Sequence, residues 1–427
     1  MRKNYIKSLL IGLISATAIS VSAQDFQVDG IYYTILTDAT VEVAPQNSTN
    51  RAKAARTYSG DVAVPSEVTY DDVTYTVTGV GKFAFCGYST STPSTVTSVS
   101  LPETVTYLGE QSFIYCTSLT SIDIPSAVTS IGVQCFRYST ALSSVTLPDG
   151  LETLDRYAFG GCTALTSINI PSSITTFGEY CLASTGLESI TFTNGDASYD
   201  SNILNGCSSL TSITLPEGMS YIPNGLLYKC TALTDDVVNG LFESNPIDSI
   251  SNNGLRQCTS LTAVVFPDEL VTLNQLSFYY CTGLTSITLK DKVETIGKQA
   301  FGACGSITTV ISLNPTPPAA ADTTVFDDEV YENATLYVAD ETAVEAYKSA
   351  EVWEKFATIA VYEETSDDDD DTIGISNLAT DGRTVVAERL YNLAGQEVAE
   401  PDADSKSIYV VVKSYDDGST DIVKEAR

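Results

Sequence analysis

Apolar and polar residues alternate in short phrases that return at a fixed interval through the middle of the chain. The clearest copies have the form Leu-x-x-apolar-x-apolar-Pro and run over 119–125, 142–148, 165–171 and 210–216. The prolines Pro102, Pro125, Pro148 and Pro171 fix the period, because 125 − 102, 148 − 125 and 171 − 148 each give 23. This alternation predicts a half-buried strand, and the period predicts one unit stacked on copies of itself. Such an array offers a long surface rather than a deep pocket.

One copy shows how a coil closes. The side chains expected to point inward are Leu119, Ile122, Ile124, Val128, Ile131 and Phe136. The polar residues between them face solvent, and Pro125 ends the strand because it has no N–H to donate. Gly132 suits a tight corner. We therefore predict a β-rich solenoid of about ten 23-residue coils.

Two insertions interrupt the period. Cys86 and Cys116 are 30 residues apart (116 − 86), and the extra residues fall in 89–95. Cys230 and Cys258 are 28 apart (258 − 230), and the 239–246 stretch carries the excess. Departures from a rigid scaffold often hold recognition residues.

The second insertion is the candidate ligand-contact patch. Leu241 and Phe242 would form its apolar centre, and Asp235, Asp236 and Glu243 its charged rim. The alternative is that Leu241 and Phe242 fold back onto the coil.

Ten cysteines are distributed along the repeats. We predict one structural column of equivalent slots, formed by Cys86, Cys116, Cys162, Cys207, Cys230, Cys258, Cys281 and Cys304. Cys135 and Cys181 occupy a neighbouring slot. Parallel stacking holds equivalent Cβ atoms about 4.8 Å apart, beyond the usual disulfide distance, which favours buried thiols over bridges. A line of ligands also does not suit tetrahedral zinc.

The repeat phrase resembles the BspA-like leucine-rich repeat family. The resemblance is carried by the Leu-Thr-Ser-Ile-x-Ile-Pro copies and by phrases such as Ile296-Gly-Lys-Gln-Ala-Phe301 with Cys304. Flanking segments at 29–33, 58–65, 75–80 and 317–356 resemble the caps of that family. The resemblance spans roughly residues 24–362. It implies an exported, adhesin-type surface protein of host-associated Gram-negative bacteria, without implying a particular ligand.

The two ends of the chain carry different signals. Residues 1–23 have a positive start, an apolar stretch and a small-residue Val21-Ser22-Ala23 ending, which predicts a cleaved signal peptide. The segment 391–398, with Ile408-Tyr409 and 417–424, resembles the sorting domain of type IX secretion substrates, although Ser407 replaces the glycine usual before the Ile-Tyr phrase. The predicted organisation lists a signal peptide at 1–23, an N-terminal cap at 24–70, the solenoid at 71–313, a C-terminal cap with a short helix at 314–362, an acidic linker at 363–374 and a small β-sandwich-like module at 375–427. Asp340 is the expected N-cap of that short helix.

Composition narrows the function. The 427 residues include 54 Asp and Glu against 22 Lys and Arg, for a net charge of −32, so nucleic acid is not an expected partner. The chain has no histidine, which removes Ser-His-Asp and Cys-His catalysis. No later apolar run reaches the length of a membrane helix. The Asp367–Asp371 run lacks the spacing of a calcium loop and is interpreted as a solvated linker rather than a Ca²⁺ site. We expect no enzyme activity and no cofactor.

Rows of Thr and Ser cover the solvent side of the predicted strands. The two adjoining rows are Thr120, Ser143, Thr166, Thr211 and Thr285, and Ser121, Ser144, Ser167, Ser212 and Ser286. They are interpreted either as a polar cover for an exposed sheet or as a flat recognition face. The leading hypothesis is a secreted or cell-surface protein that adheres to host or matrix proteins, and its expected partner is a host or bacterial surface protein. A glycan-binding surface protein and a purely structural surface protein remain the alternatives.

Overall fold

The computed structural model describes residues 25–46 and 57–363, together with the backbone of 385–391, 397–398, 408–415 and 420–426. The chain divides into two compact units, Met1–Glu363 and Glu364–Arg427. The predicted signal peptide lies outside the described residues, as does the acidic linker after Glu363. The predicted domain boundaries stay predictions.

A five-stranded sheet closes the N-terminal end of the first unit. Its strands are β1 (Phe26–Val28), β2 (Ile31–Ile35), β3 (Thr40–Ala44), β5 (Glu67–Tyr70) and β6 (Val73–Val80), in the order β1-β2-β3-β6-β5. Beside it, β4 (Ser59–Ala63) pairs in parallel with β7 (Thr95–Ser100). Val80 at the end of β6 bridges to Leu108, which bridges to Ile131. The cap therefore runs into the solenoid through a shared strand.

Two ladders of short parallel strands follow. The first ladder is divided into three sheets. It contains β8 (Ser121–Asp123), β10 (Ser144–Thr146), β13 (Ser189–Thr191), β15 (Ser212–Thr214), β18 (Ala263–Val265), β20 (Ser286–Leu289), β22 (Thr309–Ser312), β24 (Thr335–Val338) and β25 (Thr358–Val361). The phrase at 165–171, which also predicts a strand, does not form a regular one. The second ladder contains β9 (Ser130–Ile131), β11 (Thr153–Leu154), β12 (Thr176–Phe177), β14 (Ser198–Tyr199), β16 (Tyr221–Ile222), β17 (Ser249–Ile250), β19 (Thr272–Leu273), β21 (Thr295–Ile296) and β23 (Ala319–Ala320). Ser121 pairs with Ser144 and Thr153 with Thr176, so the stacking register is the sequence period. The predicted repeat-rich, β-dominated fold is confirmed.

Aromatic rings fill the middle of the early coils. Phe85, Phe113, Phe136 and Phe159 stack in series with centroid separations of 5.0, 5.0 and 5.2 Å. The inward side chains predicted for the copy at 119 are all buried. Strict alternation and a fixed period were sufficient to predict them, because only one face of each short strand meets the core.

Gly132 is required for a different reason from the one predicted. A Cβ atom there would lie 2.8 Å from the carbonyl oxygen of Leu108 in the preceding coil. The glycine thus permits close approach of two coils, and its φ does not lie in the left-handed region.

A helix replaces a strand at the second insertion. Helix α1 (Asp235–Ser244) occupies the place in the first ladder between β15 and β18. Val238, Leu241 and Phe242 are its buried residues, at a spacing that makes one apolar face. The 239–246 stretch is therefore part of a regular helix that packs on the coils.

The C-terminal end of the solenoid is closed by two helices and a short turn. They are α2 (Asp328–Asn333), α3 (Glu341–Lys348) and a 3-10 turn at Trp353–Lys355. The predicted N-cap is confirmed, since the Asp340 side chain accepts a 2.8 Å hydrogen bond from the N–H of Ala343. Trp353 is buried and its indole N–H donates to the carbonyl of Pro318 at 2.7 Å. These groups cover the last coils.

The second unit contains one antiparallel sheet in its described part. The strands are β26 (Val385–Tyr391), β27 (Glu397–Val398), β28 (Ile408–Tyr415) and β29 (Thr420–Ala426), in the order β27-β26-β28-β29. Ser414 pairs with Thr420 across the β28–β29 hairpin.

Candidate functional site

The turns that join the two ladders have a fixed backbone shape. Gln134 and Tyr138 both take left-handed φ values, 55° and 60°, although neither is glycine. Between them the N–H of Phe136 donates to Ala158 at 2.8 Å, and the N–H of Tyr138 donates to Gly160 at 2.8 Å. Equivalent bonds recur from coil to coil, so the turns form a continuous edge. We call the residues of these turns the turn strip: 114–118, 137–141, 160–164, 183–186, 205–209, 228–232, 256–260, 279–283 and 302–306.

Arg137 lies among tyrosine rings at the N-terminal part of the turn strip. Its guanidinium carbon is 4.7 Å from the ring centroid of Tyr138 and 4.0 Å from that of Tyr157. Tyr157 stacks in turn on Tyr180 at 4.8 Å. Tyr138 stacks on Tyr115 at 5.1 Å. A planar guanidinium suits contact with aromatic faces better than the ammonium group of lysine does.

A second cation–aromatic cluster lies further along. Arg256 is held between Tyr228 and Tyr279, at 5.0 and 4.9 Å from their centroids. Lys229 lies over Tyr228 at 5.2 Å, and Tyr280 is 47% exposed. The Nε atom of Arg256 is buried and has no hydrogen-bond partner among the described residues.

A shallow groove of about 510 Å³ lies beside the second cluster and is lined in part by its Lys229 and Tyr280. Its walls are small or polar side chains of successive turns, and the ends are marked by Ser184 and Tyr280. Lys229 and Gln257 are the longer side chains that border it. No carboxylate lines the groove.

Charge is distributed unevenly around the coils. Between residues 83 and 289 the cations are Arg137, Arg156, Lys229 and Arg256, and three of these four lie in the turn strip. None of the four forms an ion pair within the described residues. The other cations of 25–46 and 57–363 all pair with carboxylates: Lys82, Lys290, Lys292, Lys298, Lys348 and Lys355. The turn strip contains no Asp or Glu, in a chain that has 54 of them.

Sequence reasoning did not find the turn strip. The sequence signal that could have revealed it is the absence of Asp and Glu from the turn segments. This absence becomes visible only when equivalent positions of the repeats are aligned. Tyrosine and arginine in a repeat also have an ordinary structural interpretation, because their rings and stems cover the coil edge.

The predicted contact patch on α1 is only partly at the surface. Leu241 and Phe242 are each 4% exposed, and Phe242 packs 6.0 Å from Phe266. The prediction of an exposed apolar centre is therefore wrong, because these two side chains pack into the core as the alternative required. Asp236 and Glu243 are exposed, and their role as ligand contacts stays a prediction.

Asp235 is occupied by bonds within the molecule. Its carboxylate accepts hydrogen bonds from the N–H of Thr262 at 2.8 Å and of Ala263 at 3.1 Å, and from the Thr262 hydroxyl. Asn239 accepts from the N–H of Val265 at 3.2 Å. Two side chains of α1 thus satisfy the edge of β18, which has no strand on that side. Asp235 braces the scaffold, and a ligand role for it remains untested.

The Thr and Ser rows bond along the solenoid. The hydroxyls of Ser143, Thr211 and Thr285 donate to the carbonyls of Thr120, Glu188 and Thr262 at 3.2, 3.2 and 3.0 Å. Each hydroxyl therefore joins its coil to the preceding one, which favours the polar-cover interpretation. A recognition role for this face stays a prediction.

Seven cysteines occupy one slot of the coil. They are Cys116, Cys162, Cys207, Cys230, Cys258, Cys281 and Cys304, and each thiol donates to a backbone carbonyl of the preceding coil at 3.1–3.4 Å. Ser139 stands in the same slot and donates to Phe113 at 2.8 Å. The slot therefore selects a small buried donor. All ten cysteines of the chain are buried thiols.

Cys86 does not belong to this column. It packs with Phe83 and Ile114 in a small cluster apart from the main core. The N–H of Gly87 bonds to Ile114 at 2.7 Å, as the N–H of Tyr115 bonds to Arg137 at 2.9 Å, so Cys86 stands in the slot of Ile114. The insertion that follows Cys86 changes the spacing from which its slot was predicted. The predicted assignment of Cys86 to the column is therefore wrong.

Other kinds of site find little support in the described residues. Within 25–46 and 57–363, no group of three or more Cys, Asp or Glu side chains is arranged to hold a metal ion. Where the structure describes the chain, no helix has the length and apolarity needed to cross a membrane.

Comparison with known proteins identifies a protein family that matches the repeats. The family model for the BspA type leucine rich repeat region matches in six copies, over residues 67–146, 129–244 and 248–327, which is more than half of the 427 residues. No curated protein matches the chain.

Solved structures with a similar fold include three leucine-rich repeat or surface proteins. One from Bacteroides ovatus is 23% identical with a TM-score of 0.48, and the alignment covers 75% of this chain and 80% of that chain. A leucine rich cell surface protein from Faecalibacterium prausnitzii is 18% identical with a TM-score of 0.47, covering 81% and 96%. The pneumococcal vaccine antigen PcpA is 17% identical with a TM-score of 0.49, covering 79% and 98%.

Proposed function

The chain belongs to the BspA type leucine rich repeat family, and on that premise we propose that it is a non-enzymatic surface protein that adheres to a protein partner. The observation that carries the proposal is the architecture of the first unit. The apolar residues that recur from repeat to repeat are buried in the core, and polar side chains lie on the long open faces of the coils. Open extended surfaces are how stacked-repeat proteins bind their partners.

The chemistry of the buried groups supports a role other than catalysis. Burial raises the pKa of the Cys135 thiol to about 12 and that of Cys304 to about 12, so neither is a ready nucleophile. The groove beside Tyr280 is open and lined by hydroxyl, amide and ammonium groups without a carboxylate pair. Hydrolysis of glycosides by the usual route needs two carboxylic groups, and this groove supplies none.

We further propose that the protein is exported by its N-terminal segment and that the Glu364–Arg427 unit acts in sorting to the surface. The positive and apolar character of residues 1–23 supports export. The Tyr391–Val398 phrase and the antiparallel strands at 408–415 and 420–426 support the sorting proposal.

A binding panel tests the adhesion proposal. The purified chain is presented to immobilised host matrix proteins and to a glycan array, with binding followed by surface plasmon resonance. We expect saturable binding to at least one protein. Binding to glycans alone would replace protein adhesion by glycan binding, and saturable binding to neither would leave a structural role.

A further inference from the structure

We propose that the turn strip is the surface on which the protein partner docks, and that the docked region of the partner is rich in carboxylates. This inference rests on the proposed function and specifies the face and the chemistry of the partner.

Charge gives the strip its distinct character. With a net charge of −32, the molecule repels acidic partners over most of its surface. The nine turns of the strip carry Arg137, Lys229 and Arg256 and no carboxylate of their own. Among the other cations of the described coils, Arg156 forms no ion pair and the lysines are paired with Asp or Glu, whereas Arg137, Lys229 and Arg256 contact tyrosine rings. They therefore remain available to a carboxylate from outside.

The side chains of the strip are those that dominate protein interfaces. Tyrosine and arginine are enriched at the energetic centres of such interfaces because they combine large contact area with directed hydrogen bonds. Arg137 and Arg256 each contact two tyrosine rings, which reduces the freedom that each would lose on binding. The buried Nε–H of Arg256 still lacks a partner among the described residues.

The dimensions of the strip suit a protein rather than a small molecule. Nine stacked turns at about 4.8 Å per coil extend roughly 40 Å. A typical stable interface covers about 800 Å² on each partner, and a partner that followed the strip would contact residues of nine successive coils. The groove of about 510 Å³ lies within it and gives the partner a depression to fill.

The test uses a simple acidic polypeptide as the probe. Labelled poly-L-glutamate is titrated into the full chain at about 0.15 M ionic strength, where charges beyond roughly 8 Å are screened. The strip variant combines Arg137→Gln, Lys229→Gln and Arg256→Gln. The matched control combines Lys290→Gln, Lys292→Gln and Lys298→Gln, which removes the same charge from ion-paired positions.

We expect the strip variant to weaken poly-L-glutamate binding by about tenfold or more, and the control to stay within about twofold. Equal losses of affinity in the two variants would show that only the net charge matters, and this would overturn the proposal. The same conclusion follows if the wild-type chain does not bind the probe. Tighter binding of polygalacturonate than of poly-L-glutamate would assign the strip to an acidic polysaccharide and also overturn it.

A second variant guards against loss of the fold. Gln257→Glu with Thr231→Glu adds carboxylates to the groove without removing a stacked ring, and we expect it to weaken probe binding as well. Circular dichroism and thermal unfolding confirm that each variant is folded.

The proposal and the proposed function fail in different ways. A protein ligand from the binding panel whose affinity is unchanged in the strip variant leaves adhesion standing and overturns the strip. A panel without any protein ligand counts against adhesion itself, whatever the probe does.

Discussion

At the scale of the residue, each column of equivalent side chains shows what its slot accepts. The thiol slot is the clearest case, because Cys116, Ser139 and Cys162 all place a small donor against a carbonyl of the preceding coil. If the slot required only a small side chain, alanine would be tolerated there as well as serine. The hydrogen bond predicts instead that serine is tolerated better than alanine.

Substitutions at Cys162 test that order. Cys162→Ser keeps a donor to the Phe136 carbonyl, and we expect a loss below about 1 kcal/mol in the free energy of unfolding. Cys162→Ala removes the donor and leaves a void, and we expect a loss of about 1–2 kcal/mol. Urea unfolding measures both. A more stable alanine variant would show that the slot selects volume alone.

The phenylalanine column carries more of the stability. Phe159 is fully buried and stacks on Phe136 at 5.2 Å. We expect Phe159→Ala to lower the free energy of unfolding by about 3–5 kcal/mol, because the ring leaves a cavity between stacked coils. A measured loss under about 1 kcal/mol would contradict the placement of Phe159 in the core.

Thiol reactivity is the third measurement at this scale. Desolvation raises the pKa of the buried thiols, to about 12 for Cys135, so the reactive thiolate is scarce at pH 8. Iodoacetamide is expected to label few cysteines in the native protein and close to all ten after denaturant is added without reductant. A requirement for reductant, seen by intact mass, would demonstrate disulfides instead.

At the scale of the element, α1 is a strand position filled by a helix. Such a replacement leaves the next strand with unpaired N–H groups, and Asp235 and Asn239 accept from them. The helix therefore carries two tasks, since its apolar face completes the core and its polar side chains complete the ladder.

A matched pair of substitutions separates these tasks from surface charge. Asp235→Ala removes the bonds to Thr262 and Ala263, and we expect a loss of about 1–3 kcal/mol with faster amide exchange at Ala263. Asp236→Ala removes the same charge from an exposed neighbour and should change stability by less than about 0.5 kcal/mol. Hydrogen exchange by mass spectrometry and thermal unfolding measure both variants. Equal effects would mean that the bonds of Asp235 contribute nothing beyond charge.

The elements also show where sequence reasoning succeeded and where it failed. Short alternating strands and the Asp340 cap were predictable, because each depends on a local pattern of a few residues. Helix α1 was missed because Val237, Val238 and Gly240 are weak helix formers, and its stability comes from packing of Leu241 and Phe242 that no local pattern reveals. Cys86 was misassigned because the insertion after it hides its true position in the repeat, which is the slot of Ile114. The cation–tyrosine clusters depend on contacts between coils, which a single repeat does not encode.

At the scale of the whole molecule, the first unit behaves as a line of coils with a cap at each end. Each coil depends on its neighbours, so loss of a cap exposes the last coil and then the next. Trp353 meets the ring of Tyr347 edge-on at 5.2 Å, stacks on Phe356 at 6.2 Å and anchors the C-terminal end.

Removal of the Trp353 side chain should speed amide exchange most in the coils nearest to the C-terminal cap. We expect Trp353→Ala to speed amide exchange at Val310 in β22 far more than at Ile122 in β8. Glu351→Ala, at an exposed position nearby, serves as the control and should alter neither. Uniform acceleration along the whole unit would indicate a single cooperative block instead of a line of coils.

The thiol column has a consequence for the order of events during folding. A thiol in one coil is sheltered only when the coils on both sides have stacked, because its donor reaches back to the preceding carbonyl. If the chain is exported as proposed, it enters a compartment that favours oxidation while ten thiols are still exposed. Stacking and sulfur chemistry then compete in time, and each coil that closes removes one thiol from the competition. Rapid stacking of the coils therefore protects the chain from forming disulfide cross-links.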